Sequence, residues 1–216
     1  MQEFEAAHAF FILKAAQWTI LLSLVAFVGG GALGLLIALC RTSKSRAVRL
    51  ISGGYVTIIQ GTPILVILFL SYFGLSIIGY DTTAFFAASV SLTIYTAAFL
   101  GEIWRGCIES VPPTQWEAAD CVGLNRFQQY TYVVLPQAMR IAIPPTVGFM
   151  VQIVKNTSLA SIIGFVELAR AGQLVNNATF QPFTAFVVVG LIYFALCYPL
   201  SEASRYFERK LNAAHQ

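Results

Sequence analysis

Five apolar stretches alternate with short polar segments along the chain, each about long enough to cross a hydrocarbon core of roughly 30 Å. They cover residues 15–40, 54–79, 84–109, 138–163 and 183–205. No charge falls between Ala15 and Cys40, and Trp18 stands where an interfacial aromatic belongs. Gly30 and Gly34 form a GxxxG in this stretch, a spacing that lets two helix backbones approach closely or that a membrane helix simply tolerates. The second stretch is interrupted at Gly61-Thr62-Pro63, where the missing N–H of Pro63 kinks or starts a helix. The third carries Glu102 near one end. The fourth opens with Pro144-Pro145 and ends at Lys155-Asn156-Thr157-Ser158. Residues 1–14 read as a mildly amphipathic lead, and 167–181 as an external loop or surface helix with Glu167 solvated. The pattern predicts an all-α integral membrane protein of about five transmembrane helices, a single domain over residues 1–216.

Residues 110–136 are too polar to lie in a bilayer. Within them Thr114 and Glu117 fit a capping box, with Pro113 suited to a helix start. Trp116, Ala119, Gly123 and Phe127 recur at three or four residues and so share one helix face. Gly123 inside such a helix weakens it by roughly 1 kcal/mol relative to Ala, which marks a bend or a tight contact. The segment reads either as a short helix presented for docking or as an amphipathic connector packed on its own protein.

Composition narrows the class. The chain has 216 residues, 57% hydrophobic and 11% charged, with a mean hydropathy of +0.73. A soluble domain carries about 25% charged residues and would expose adhesive patches at this apolarity. A net charge of +3 is too small to point to nucleic acid. Cys40, Cys107, Cys121 and Cys197 and the two His residues lack metal-ligand spacing, so neither a metal site nor a disulfide is expected. There is no Walker A loop, no GxSxG and no HExxH, so no catalytic residues are assigned and the chain is not expected to be an ATPase. Ten of the thirteen Lys and Arg residues fall on one side of the expected spans: in the 41–49 loop, around 105–140 and in the 205–210 tail. By the positive-inside rule that side is cytoplasmic, which puts the N-terminus outside and the C-terminus inside.

Glu117-Ala118-Ala119, three residues, Gly123, nine residues, and Val133-Val134-Leu135-Pro136 resemble the EAA loop of bacterial ABC importer permeases. Residues 105–112, 135–140 and 155–164 are similar to the polar amino acid permease family. So are residues 60–66, where that family more often has Arg in place of Gln60. The resemblance runs from about Trp18 to Leu211. It implies the type I permease fold with a cytoplasmic coupling helix, in the bacterial inner (plasma) membrane. It implies a subunit that docks a separate ATPase through Trp116, Glu117, Ala118, Ala119, Gly123 and Phe127. ATP and Mg would sit on that partner, with no cofactor on this chain. Implied partners are a pair of ATPase subunits, an identical or different second permease chain, a periplasmic or lipid-anchored amino acid binding protein, and membrane lipid.

Candidate substrate-pathway residues are Gln60, Thr62, Glu102, Lys155, Asn156, Thr157 and Ser158. A carboxylate within a span must face a partner, water or the interface, and Glu102 has Arg105 and Arg140 as candidate partners. Breaks at 61–63 and 155–158 would expose backbone groups to a ligand. The alternative is an ion-coupled secondary amino acid carrier, which would need buried ionisable residues on several spans. Glu102 is the only good candidate of that kind.

Overall fold

The computed structural model describes residues 3–213, and no strand occurs among them. The N-terminal helix α1, Ala6–Arg41, absorbs most of the expected lead. Glu5 caps it, and the Glu5 N–H donates to Nδ1 of His8 at 3.0 Å. At 36 residues α1 is about 54 Å long, well beyond the hydrocarbon thickness. The extra turns are not idle. Ile12, Ala15 and Ala16 pack into a core with residues of the last two helices.

The expected second span is bent. α2, Arg46–Gln60, and α3, Ile64–Ile77, meet at 99° across Gly61-Thr62-Pro63. Pro63 pushes Thr62 out of helical conformation and cannot donate to the preceding turn. The Thr62 hydroxyl instead donates to the Ile58 carbonyl at 2.7 Å. A π-helical segment, Leu70–Gly74, lies inside α3.

α4, Ala84–Glu109, starts with Thr83 as N-cap, its hydroxyl accepting from the Phe86 N–H. α4 is the centre of the molecule and packs along α1. A Cβ on Gly30 would stand 2.4 Å from Thr96, and one on Gly101 would stand 2.7 Å from Ile37. The GxxxG of the first stretch is thus a real close contact between helices.

After the short α5, Pro113–Cys121, comes α6, Arg126–Ile163. It begins a dozen residues before the expected fourth span, and Pro144 and Pro145 lie within it instead of opening it. The Ser204 hydroxyl donates to the Pro144 carbonyl at 2.8 Å across to the last helix. α6 opens with a π-helical turn, Gln129–Val134, and closes with a 3-10 segment, Thr157–Ile163.

α7, Leu168–Thr179, takes the helical one of the two forms expected here, but it packs inward. It buries Leu168, Ala171 and Val175 against α1 and α8. α8 is Pro182–Ala213. Outward-facing Phe10, Val28, Leu36, Phe183, Leu191 and Phe194 give α1 and α8 a greasy exterior. Among the described residues four helices are long and apolar enough to span a bilayer, five if the bent α2–α3 pair counts as one span.

Candidate functional site

α5 is held between two conformational stops. Pro113 occupies its first helical position, where a missing N–H leaves nothing unpaired. Pro112 is therefore the N-cap, and the Thr114–Glu117 capping box does not form. At the other end the helix stops at Cys121, so Gly123 is not inside it. Gly123 has φ +75°, its N–H donates to Asp120 at 3.0 Å, and Leu124 N–H donates to Ala119 at 3.1 Å. That pair of bonds is a Schellman stop.

One face of α5 is anchored. Trp116 packs edge-on against Tyr130, with centroids 5.0 Å apart, over a cluster of Ile108, Val111, Val134 and Ala138. Ala119 is buried beneath. Buried Gln129, in the π turn of α6, donates from Nε2 to the Asp120 carboxylate and, at 2.7 Å, to the Leu124 carbonyl. Its Oε1 accepts from Arg126 at 3.1 Å. The opposite face carries Glu117 and Ala118, and beyond the helix end Val122 and Phe127 are 73% and 75% exposed. Trp116 and Ala119 thus sit on the inner face, while Glu117, Ala118, Gly123 and Phe127 are open to solvent. Phe127 stands on α6 and shares no helix with Trp116.

Gln129 and Asn125 escaped the sequence reading. Asn125 caps α6 through a reciprocal pair, its Oδ1 accepting from Gln128 N–H at 3.0 Å and its own N–H donating to Gln128 Oε1 at 2.9 Å. The Asn-x-x-Gln spacing was as visible as Thr114-x-x-Glu117. The proline pair and Gly123 decide between the two. A cleft of about 1100 Å³ runs from α5 to the α1–α2 turn, lined by Thr42, Lys44, Trp116, Glu117, Arg126 and Tyr130.

Glu102 does not join the other pathway candidates. Arg105 Nε donates to it at 2.9 Å, and Arg41 reaches it from α1 at 3.4 Å. Arg105 also pairs with Glu109. The partner from a second helix is Arg41 rather than Arg140. A carboxylate shared by two guanidiniums is a tie between α1 and α4.

The two broken-helix regions do meet. Asn156, at the end of the regular part of α6, lies beside Ile64, just past the bend at Gly61-Thr62-Pro63, and beside Ser91 of α4. Gln152 donates to Asn156 Oδ1 at 3.2 Å, while Asn156 Nδ2 has no partner among the described residues. Gln60 and Lys155 are exposed. Thr157 is buried with its hydroxyl donating to Val154 at 2.7 Å, and Ser158 donates to Lys155 at 2.7 Å. Tyr95, Phe99 and Phe149 stack nearby, with Tyr95 and Phe99 centroids 4.4 Å apart. Irregular backbone at membrane depth is tolerated where it is buried in protein or lines a cavity.

Glu167, expected in solvent, is 0% exposed. It caps α7 by accepting from Ala169 N–H at 2.9 Å and Arg170 N–H at 2.8 Å. It also accepts from the Tyr193 hydroxyl at 2.9 Å, and the Thr19 hydroxyl donates to it at 3.4 Å. Burial pushes its carboxyl above the ordinary carboxylate value, opposed by these donors. It joins α1, α7 and α8.

Residues 30–213 match the family described as the binding-protein-dependent transport system inner membrane component. A probable amino-acid ABC transporter permease of Bacillus subtilis, YckA, is 37% identical over 187 residues, covering 87% of this chain and 83% of that protein. GlnM of the same organism, a probable glutamine ABC transporter permease, is 35% identical over 197 residues, covering 91% of each. A crystal structure of an amino acid ABC transporter with histidines superposes with a TM-score of 0.88 at 32% identity, covering 93% of this chain and 94% of that one. The chain belongs to the binding-protein-dependent transport inner membrane component family: it is a multi-pass permease subunit of an ABC importer with the type I permease fold.

Proposed function

We propose that this subunit carries polar amino acids across the inner membrane, driven by ATP that a separate pair of ATPase chains hydrolyses with Mg. Its N-terminus lies outside and its C-terminus in the cytoplasm, in line with the clustering of Lys and Arg. The observation that carries the reading is the two-sided α5: Trp116 and Ala119 hold it to α6, while Glu117, Ala118, Val122 and Phe127 are left free for a groove on the ATPase. Closure of the ATPase pair then moves α5, and α6 with it through Gln129. The regular part of α6 ends at Asn156, beside the α2–α3 bend, so its motion opens the path on one side and closes it on the other. A second permease chain, the same or different, completes the path. A periplasmic or lipid-anchored binding protein delivers the cargo, in keeping with the family description. The amino acid cargo is supported by the names of the relatives.

An ion-coupled carrier would use Glu102 as its ionisable group, but Arg105 and Arg41 already hold that carboxylate. Deletion of residues 116–123 is expected to abolish amino acid uptake in liposomes that hold all partners, while membrane insertion persists. Uptake at the normal rate would overturn the docking role.

A further inference from the structure

A second cavity, of about 490 Å³, lies between the start of α2 and the ends of α1 and α4. Four guanidiniums line it: Arg41, Arg46, Arg49 and Arg105. Only Glu109 at its wall and Glu102 behind it offset them. Arg105 is fully engaged by these two carboxylates. Arg49 donates to the neutral carbonyls of Ser43 at 2.7 Å and Lys44 at 2.9 Å, so its charge is uncompensated. Arg46 has no carboxylate partner among the described residues. Both stand in the first turn or so of α2, the positive end of its dipole, with no acid there and no side-chain cap from Ser45. Cations there are of the wrong sign for the helix. Gly53 lets the Arg41 guanidinium sit at the wall: a Cβ on it would stand 2.6 Å from a guanidinium nitrogen of Arg41. Next to this charged hollow, Leu50 and Ile51 are 70% and 76% exposed, a greasy strip.

We infer that this cavity binds the phosphodiester headgroup of an anionic phospholipid, its acyl chains lying along Leu50 and Ile51. A phosphate anion offsets the free guanidiniums and the helix dipole together, and arginine forks suit phosphate oxygens. The apolar strip selects a lipid over a free anion, and basic pockets between membrane helices are known to take such headgroups. The inference rests on the orientation proposed above, which places the cavity at the cytoplasmic leaflet.

The test is native mass spectrometry of the purified full chain in micelles doped equally with phosphatidylglycerol and phosphatidylcholine. Wild type is expected to retain phosphatidylglycerol by at least about tenfold over phosphatidylcholine. R46Q/R49Q is expected to bring the ratio near parity. G53V, which keeps every charge but fills the hollow, is expected to do the same. R209Q/K210Q removes equal charge from the end of α8 and is expected to keep the preference. Parity in wild type, an unchanged ratio in both cavity variants, or equal loss in the α8 control would overturn the site. Displacement of the lipid by excess inorganic phosphate would overturn the lipid as its ligand. Sidedness plays no part in micelles, so a negative result there leaves the orientation standing.

Discussion

Gly123 has open space where a Cβ would stand, so its constraint is torsional and not steric. A side chain in the left-handed region costs about 1–2 kcal/mol, least for Asn. Gly123→Val is therefore expected to fray the end of α5 and lower the fraction of chain that co-purifies with its ATPase, and Gly123→Asn to retain most of it. Hydrogen exchange over residues 113–124 checks the local loosening. Glu167 makes a different prediction. Because burial raises its carboxyl in the folded protein, the folded state holds that proton more tightly than the unfolded chain. This contribution is present at acid pH and is lost as pH rises past the ordinary carboxylate value. E167Q is expected to melt with a flatter pH profile, and lower overall by about 1–3 kcal/mol because an amide cannot accept from both Ala169 and Arg170. Melting in detergent from acid to neutral pH measures both. The burial of Glu167 was not legible in the sequence. A charged residue between two apolar runs reads as solvent-facing, and only the fold of α7 back onto α1 and α8 encloses it.

At the scale of elements, the apolar pattern located the regions that form α1, α4 and α8 and both ends of α4, but not the start of α1, the end of α8 or the bend in the second stretch. Length and hydropathy fix a crossing, whereas boundaries depend on caps and on neighbours. Pro63 bent the chain by 99° because a glycine and a threonine precede it, with no regular turn to bridge the gap. Pro144 and Pro145 lie inside a helix that continues past them, with Ser204 of α8 bonded to the Pro144 carbonyl. Tertiary partners of this kind leave no mark on the local sequence. Glycines divide in the same way. A Cβ on Gly172 of α7 would stand 2.5 Å from Val189, whereas Gly190 of α8 has nothing within 4 Å. Gly30→Ala and Gly172→Ala are expected to destabilise the chain by about 1–3 kcal/mol through overpacking. Gly190→Ala is expected to be neutral or slightly stabilising. Melting temperatures of the three variants in one detergent test the contrast, and equal behaviour would refute the packing account.

The molecule as a whole has two ends of different character. Arg41, Arg105 and the α5 region cluster at one, and the Glu167 knot of α1, α7 and α8 lies apart from them. Cys121 is the exposed cysteine of α5, while Cys107 and Cys197 are buried. In a Cys40→Ser background, a membrane-impermeant maleimide is expected to label inside-out vesicles and to spare intact spheroplasts. Labelling of spheroplasts would reverse the proposed orientation. The EAA spacing singled out residues 117–136 from sequence alone, whereas the meeting of the bend with Asn156 was not legible there. Residues 61–63 and 156 lie nearly a hundred positions apart, and nothing local ties them.

From the Gln129 clasp to Asn156, where the 3-10 turn begins, α6 runs about 40 Å at the rise of a regular helix. In the proposed cycle motor and gate would share this axle, and torque passed to its foot through α5 would reach the pathway with no further joint between helices. Any slack in the transmission must come from the axle's own π turn or its paired prolines.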